Sequence, residues 1–375
     1  MNVLVTGGAG FIGTHLTRRL LREGCDVSVL DNFSAQVHAG AQEMASDLID
    51  HVQIFRGDVR DRALVARALE KQDVVVHLAA ETGTGQSMYE ISRYQDVNIG
   101  GTAAILDCVV NRPSARMNKF VVASSRAVYG EGKYRCEREG IVYPGSRALH
   151  DLQAGQYEPR CPMCHSVCIP EATSEDSKLN PLSFYGLTKQ VQEQMVLMFA
   201  RSRGYSAYAL RYQNVYGPGQ SLNNPYTGIL AIFSNLARSN SPIQVFEDGQ
   251  ESRDFVYVED SVEATWRCVA AETGSVEAMN VGTGQRTTVL QLAEKIVTFF
   301  GNECQIAITG AFREGDVRHN FADMTKIRTA IGYSPRFGVN EGLDGFLTWV
   351  EEQTPAPAGY ELSLQEMRDR GLLHG

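Results

Sequence analysis

Three glycines stand at Gly7-x-x-Gly10-x-x-Gly13, directly behind the apolar run Val3-Leu4-Val5. Few features restrict a chain more. The spacing asks for a strand that turns sharply into a helix. Gly7 allows the turn, Gly10 lets a phosphate approach the backbone, and Gly13 lets the helix lie close to the sheet. The helix start, with Phe11 and Ile12 in its first turn, offers unpaired N–H groups and the positive end of a dipole. The ligand such a turn fits is the pyrophosphate of a dinucleotide.

The next 120 or so residues repeat the same alternation. Val3–Val5, Val27–Leu30, Val52–Phe55, Val74–Leu78 and Phe120–Ala123 are short apolar runs without in/out alternation. That pattern predicts parallel strands covered on both faces. Helical stretches fall between them, at Phe11–Arg22, Ala63–Glu70 and Tyr94–Val110. The expected fold is α/β, a Rossmann-type doubly wound parallel sheet with ligands at the strand C-termini. A helix is expected at Pro181–Arg203 and a sixth strand at Ser206–Tyr212. We expect a dinucleotide-binding domain over 1–212, interrupted by an irregular insertion at 131–180. A smaller α/β substrate domain follows over 213–352. Residues 353–375 read as a stiff Pro-rich linker, Gln353–Gly359, and a helix near Ser363–Leu373.

The 375 residues carry 35 Lys and Arg against 44 Asp and Glu, a net charge of −9. That balance argues against nucleic acid and against an anionic membrane surface as partners. No apolar run approaches the roughly 20 residues of a membrane span. Met1-Asn2-Val3 has no basic stretch before its apolar residues, so a cytoplasmic location is expected. The 8 cysteines are then reduced thiols or metal ligands.

Asp31 ends the second strand, 18 residues after Gly13 (31 − 13). A carboxylate there accepts hydrogen bonds from ribose hydroxyls and repels a 2′-phosphate. Asn32-Phe33 follow it, with no arginine, and NAD is favoured over NADP. Tyr185 and Lys189 are four apart and share one helix face. A phenol of pKa about 10 becomes a base near pH 7 only with roughly 4 kcal/mol of preferential phenolate stabilisation. A neighbouring ammonium and a cationic oxidised nicotinamide supply it. Lys189 is also placed to bond the nicotinamide ribose. Ser125, at a strand end, suits the reacting hydroxyl. A second Tyr-x-x-x-Lys, Tyr129 to Lys133, contains two glycines and is set aside as a poor helix.

With these residues in view the chain resembles a known family, the extended short-chain dehydrogenase/reductases that act on nucleotide sugars. The resemblance runs from residue 1 to about 350. It rests on the motifs Thr6–Gly13, Gly57-Asp58-Val59, His77-Leu78-Ala79-Ala80, Ser124–Gly130, Tyr185–Lys189, Leu210–Gly219 and Arg253-Asp254-Phe255-Val256. It implies that Asp58 and Val59 meet the adenine and that Leu78, Ala79 and Ala80 line the nicotinamide end, with Asn32 and Tyr212 also on the cofactor. Asn214, Arg253 and Arg313 are implied contacts of the nucleotide-sugar diphosphate, a ligand that suits guanidinium pairs, and Asp316 is an implied substrate contact in the loop that carries Arg313. A homodimer through helices near Tyr94–Val110 and Pro181–Arg203 is implied as well; Val191, Met195, Met198 and Phe199 form an apolar stripe on the second that reads equally as core.

Dehydratases of this family carry an acidic pair after the catalytic Ser or Thr. Here Arg126-Ala127 stand there. The expected reaction is therefore 4-epimerisation through a transient 4-ketose. The stretches Gly130–Cys136, Cys161–Cys164 and Val245–Gly249 resemble a subgroup described as dTDP-L-rhamnose 4-epimerase-like, so dTDP-L-rhamnose or a related dTDP- or UDP-hexose is the expected substrate. A one-way reductase, dehydrogenase or decarboxylase is the alternative within the family. A non-catalytic NAD-binding regulator is the alternative outside it.

The insertion holds Cys136, Cys161, Cys164 and Cys168. Cys161-x-x-Cys164 has the spacing of a metal knuckle, and four thiolates would suit one structural zinc. His165 or His150 stands as an alternative ligand, and free thiols or a redox pair as alternative states. Cys25, Cys108, Cys268 and Cys304 fall in expected helices or strands and read as packing residues.

Overall fold

The computed structural model describes residues 1–38, 43–111, 116–224, 226, 228–301, 303–354 and 359–375. Seven parallel strands form the large sheet: β1 (Asn2–Thr6), β2 (Asp26–Asp31), β3 (Gln53–Arg56), β4 (Val74–His77), β5 (Lys119–Ser125), β6 (Ser206–Tyr212) and β7 (Val276–Val281). Their order is β7-β6-β5-β4-β1-β2-β3, and every neighbouring pair is parallel. The order reverses at β1 and β4, the switch point where a doubly wound sheet opens a crevice.

The unbroken apolar runs follow from two covered faces. Val3, Val5, Val27, Val29, Val74 and Val76 pack on α1 (Phe11–Arg22) and the later helix Val258–Ala270. Leu4, Val75 and Val122, one residue out of phase, pack on α2 (Gly101–Asn111) and α3 (Phe184–Arg203). Each such side chain contributes about 1.5–3 kcal/mol on burial.

Four expectations change. The helix expected over Tyr94–Val110 is broken: Ile91–Tyr94 passes into a π-helical segment, Gln95–Gly100, before α2 begins. The boundary drawn at 212 cuts the sheet, because β7 returns to pair with β6 and Val258–Ala270 packs on α1. The helix expected at Ser363–Leu373 lies at Gly359–Asp369, and Leu373–His374 pairs antiparallel with Phe312–Arg313. Cys25 and Cys304, expected inside helices or strands, stand in connecting segments, although both are buried. Most of the expected linker, residues 355–358, lies outside the described residues.

A second core gathers Leu230, Phe233, Ile243, Leu292, Ile296 and Phe346 beneath helices Ile229–Arg238, Val289–Phe300 and Val339–Glu351. The insertion forms its own three-stranded antiparallel sheet, Gly140–Val142, Tyr134–Cys136 and Ile169–Pro170. Among the described residues no helix is long and apolar enough to cross a membrane.

Candidate active site

A cleft of about 500 Å³ lies over the C-terminal ends of β1, β4 and β5. Its dinucleotide end is built first by the glycines. Gly7 has φ +71°, and a Cβ there would sit 2.7 Å from Ala79 N. A Cβ on Gly13 would lie 2.2 Å from Gly7 O, so only glycine lets α1 seat on the turn. Gly10 caps α1 without a side-chain hydrogen bond, leaving the first-turn N–H groups for a phosphate. Asp31 braces this loop. Its Oδ2 accepts from Ala9 N–H at 3.0 Å and its Oδ1 from Phe33 N–H at 2.9 Å. Phe11, Ile12, Asn32, Asp58, Val59, Leu78, Ala79, Ala80 and Tyr212 line the same cleft. The residues present therefore fit a dinucleotide. Asp58 turns its carboxylate to Arg60 and Asn32. Tyr212 turns its hydroxyl to Thr265 Oγ1 at 2.6 Å.

The catalytic end follows from how α3 meets β5. Ser183 caps α3 by accepting from Gly186 N–H at 3.1 Å. A Cβ on Gly186 would come within 2.5 Å of Ala127 O, so glycine next to Tyr185 lets the helix touch the turn after Ser125. Ser125 begins the 3-10 turn Arg126–Tyr129, its Oγ accepting from Ala127 N–H at 3.1 Å. Ser125, Tyr185 and Lys189 thus line one cleft. Burial pushes the Tyr185 phenol up, against a hydrogen bond from Ser125 and the charge of Arg126. Burial pushes the Lys189 ammonium down to about 7.

Sequence reasoning missed the spine behind Lys189. Lys189 Nζ donates to Gln192 Oε1 at 2.8 Å, and Gln192 Nε2 donates to Thr102 Oγ1 at 2.8 Å and to His77 Nε2 at 3.0 Å. Burial and the charge of Lys189 push His77 down to about 3, so its ring is neutral. Nε2 is then the acceptor, and Nδ1–H donates to Thr6 Oγ1 at 2.7 Å. Thr6 ends β1 one residue before the glycine turn. One chain of buried hydrogen bonds therefore ties the dinucleotide turn to the lysine. His77 was legible only as a member of the motif His77-Leu78-Ala79-Ala80, with no role of its own.

Arg253 and Arg313 are brought together, both on Asp316: Arg253 Nη2 to Oδ1 at 3.1 Å, Arg313 Nη2 to Oδ2 at 2.8 Å. These three stand outside the lining of the main cleft, while Asn214 lines it and accepts from Arg126 Nε at 2.6 Å. The rejected pair separates as expected: Gly130 and Gly132 have φ +62° and +86°, Tyr129 bonds Asn280, and Lys133 pairs with Glu171.

Ligand atoms of Cys136, Cys161 and Cys168 lie within 4.8 Å of one another, and Cys136 Sγ stands 3.4 Å from Cys164 Sγ. His165 is exposed and His150 pairs with Asp151, so neither joins the cluster.

Fold and site together define a Rossmann-type protein whose cleft gathers a serine, a tyrosine and a lysine beside a glycine turn. Residues 3–147 and 157–282 match the NAD dependent epimerase/dehydratase family. A dTDP-L-rhamnose 4-epimerase of Burkholderia thailandensis is 37% identical over 353 residues, 94% of this chain and 95% of that protein. The UDP-glucose 4-epimerase of Thermotoga maritima with UDP-glucose superposes with a TM-score of 0.75 at 28% identity, covering 94% of this chain and 99% of that one. The Thermus thermophilus UDP-glucose 4-epimerase complex with NAD gives 0.74 at 27%, covering 94% and 100%. The chain belongs to the NAD dependent epimerase/dehydratase family.

Proposed function

We propose that the protein inverts C4 of a nucleotide-diphosphate hexose, with dTDP-L-rhamnose as its first substrate and related dTDP- or UDP-hexoses behind it. One observation carries the reading. Ser125, Tyr185 and Lys189 share a cleft with the glycine turn, and the residue after Ser125 is Arg126, which cannot protonate a leaving hydroxyl. The rhamnose relative supports the sugar. Bound NAD supplies the hydride acceptor and donor. Tyr185 takes the proton from the C4 hydroxyl, Ser125 holds that oxygen as it becomes a ketone, and Lys189 keeps the phenolate in reach. Residues 1–212, with the returning β7, hold the cofactor, while Asn214, Arg253 and Arg313 of the 213–352 region receive the diphosphate and Asp316 sets the two arginines side by side at the substrate. Incubation with dTDP-L-rhamnose, UDP-glucose and UDP-galactose, followed by proton NMR at C4, tests this. Stereochemistry at C4 should scramble with no net NADH. Stoichiometric NADH would favour a dehydrogenase or decarboxylase, NADH consumption a reductase, and NAD binding without turnover a regulator.

The four converging thiols support one structural zinc on Cys136, Cys161, Cys164 and Cys168. The insertion's own core contains little beyond Tyr134, Val142 and these cysteines. Glu158, next to the knuckle, accepts from Arg318 Nη2 at 2.7 Å, and Arg318 Nη1 donates to Asp248 at 2.7 Å. Protein purified without a His-tag should hold about one zinc per chain, and chelation should lower its Tm. Less than about 0.2 zinc per chain ends the proposal.

A cytoplasmic homodimer completes the reading. Met198 is 65% exposed and Leu187 45% on α3, with Val110 39% exposed on α2. Sedimentation velocity should return twice the chain mass, and M198E the monomer.

A further inference from the structure

We infer that Arg126 is a positioning residue for the reaction: its guanidinium, fixed beside Ser125, is the second cation that Tyr185 works against. The inference rests on the reading of Tyr185 as the base.

Arg126 directly follows Ser125 at the mouth of β5 and lines the cleft that Ser125, Tyr185 and Lys189 share. Its Nε donates to Asn214 Oδ1 at 2.6 Å, which fixes the plane of the guanidinium. Asn214 is neutral, and among the described residues Arg126 makes no ion pair. Its neighbours differ. Arg253 and Arg313 share Asp316, Arg147 pairs with Glu247 and Glu131, and Arg211 pairs with Glu193. Among these arginines Arg126 is the one whose side-chain partner is neutral. Burial and the like charge of Arg253 push it down to about 9, against the charges of Asp316 and Glu131, which leaves it protonated at neutral pH with no carboxylate bonded to it. Gly186, next to Tyr185, packs directly on Ala127 O, next to Arg126, so the phenol and the guanidinium enter one cleft from touching elements and act on each other electrostatically. A charge set in place before the reaction needs no reorganisation when the phenolate forms.

The groups facing Tyr185 are few. Lys189 lies one turn along α3. Ser125 and Arg126 come from the end of β5. From the segment before the π-helix comes Tyr94, whose ring meets Tyr185 edge-on at 6.4 Å and whose hydroxyl donates to Thr82 O at 2.5 Å. Beyond Arg126 stand Arg253, Asp316 and Glu131. None of the groups on Tyr94's side is a cation acting on the phenol, so removing Arg126 leaves Lys189 alone.

The same placement bears on reaction type. A guanidinium that keeps its proton has none to give a leaving hydroxyl, so the position that serves elimination elsewhere in the family is here put to holding charge.

The experiment compares R126Q, R126K and wild-type holoenzyme with dTDP-L-rhamnose, measuring kcat and KM between pH 5.5 and 9.5, with Y185F in parallel. R126Q should lower kcat at pH 7 by about ten- to a hundredfold and move the acid limb of the kcat profile up by about one pH unit. R126K should restore most of both. Bound NAD, measured after denaturation, should be unchanged in all three. A loss in R126Q confined to KM makes Arg126 a substrate grip and overturns the inference. So does a fall in kcat with an unmoved acid limb, the signature of a merely structural role. If R126Q loses its NAD or its fold, R126K decides: a wild-type limb in R126K supports the inference, and a limb displaced by about one pH unit or more overturns it. An active Y185F would remove the base reading itself. An inactive Y185F beside an unmoved R126Q limb removes only the role of Arg126.

Discussion

Replacing Tyr185 with Phe is expected to lower kcat about a thousandfold and to leave NAD content at the wild-type level. The substitution removes one oxygen and keeps the ring, so the edge-on contact with Tyr94 at 6.4 Å and the seating of α3 on β5 are preserved. What is lost is the group proposed to accept the sugar proton. General base catalysis is worth about 10²–10⁴, and a factor of about 10³ corresponds to roughly 4 kcal/mol of barrier. The pH dependence has a definite sign. Burial raises the phenol, while Ser125 and Arg126 lower it. The base form is the phenolate, so wild-type kcat climbs as pH rises through the phenol's pKa in the complex and then levels. In Y185F that limb should vanish and the residual rate should be flat. A companion substitution, Lys189→Met, should keep the limb but move it to higher pH, because the ammonium on the same helix face is gone. NMR at C4 measures turnover, and extraction of denatured protein measures NAD. A Y185F variant within threefold of wild-type turnover would remove the phenol from the chemistry.

Much of this was readable before any coordinates. The glycine spacing specifies its own strand, turn and helix, and α1 runs over Phe11–Arg22 as the pattern predicts. Runs without alternation imply two covered faces, and Val3 and Val5 do part from Leu4 to opposite sides of the sheet. The Tyr185–Lys189 spacing was legible for the same reason, since a helix turns four residues into neighbours. What stayed hidden depends on contacts distant in sequence. β7 joins the sheet more than 60 residues after β6 leaves it (276 − 212 = 64), and no local pattern in 213–275 announces that return. The π-helical turn at Gln95–Gly100 follows from Asn98, which reaches Thr188 on α3 and receives Glu81 N–H, a tertiary demand stronger than helical propensity. Arg126 was legible as a missing acid but not as a cation without a carboxylate, because that needs the partners of Arg147, Arg253 and Arg313. The C-terminal helix was placed four residues late, since its start follows a stretch whose prolines mask the onset.

The second large effect is expected at Gly13. Gly13→Ala should cut NAD retention through purification at least tenfold and destabilise the fold by about 1–3 kcal/mol, the range for overpacking a tight contact. The added Cβ would lie 2.2 Å from Gly7 O, 2.6 Å from Gly8 Cα and 2.8 Å from Gly8 C. All three are backbone atoms, and the turn is held on its other side by Leu30 O, which accepts from Gly7 N–H at 2.8 Å. It therefore yields only if α1 lifts away or the turn shifts, and either movement displaces the N–H groups meant for the pyrophosphate. Two controls separate this clash from the general effect of a methyl group. Gly145→Ala meets no atom within 4 Å and has no positive φ, so NAD and stability should both be unchanged. Gly24→Ala also meets nothing but sits at φ +75°, so it should cost about 1–2 kcal/mol of strain and keep its NAD. Thermal unfolding and NAD extraction on the three variants give the comparison. If Gly13→Ala holds as much NAD as Gly145→Ala, the glycine turn is not what seats the cofactor.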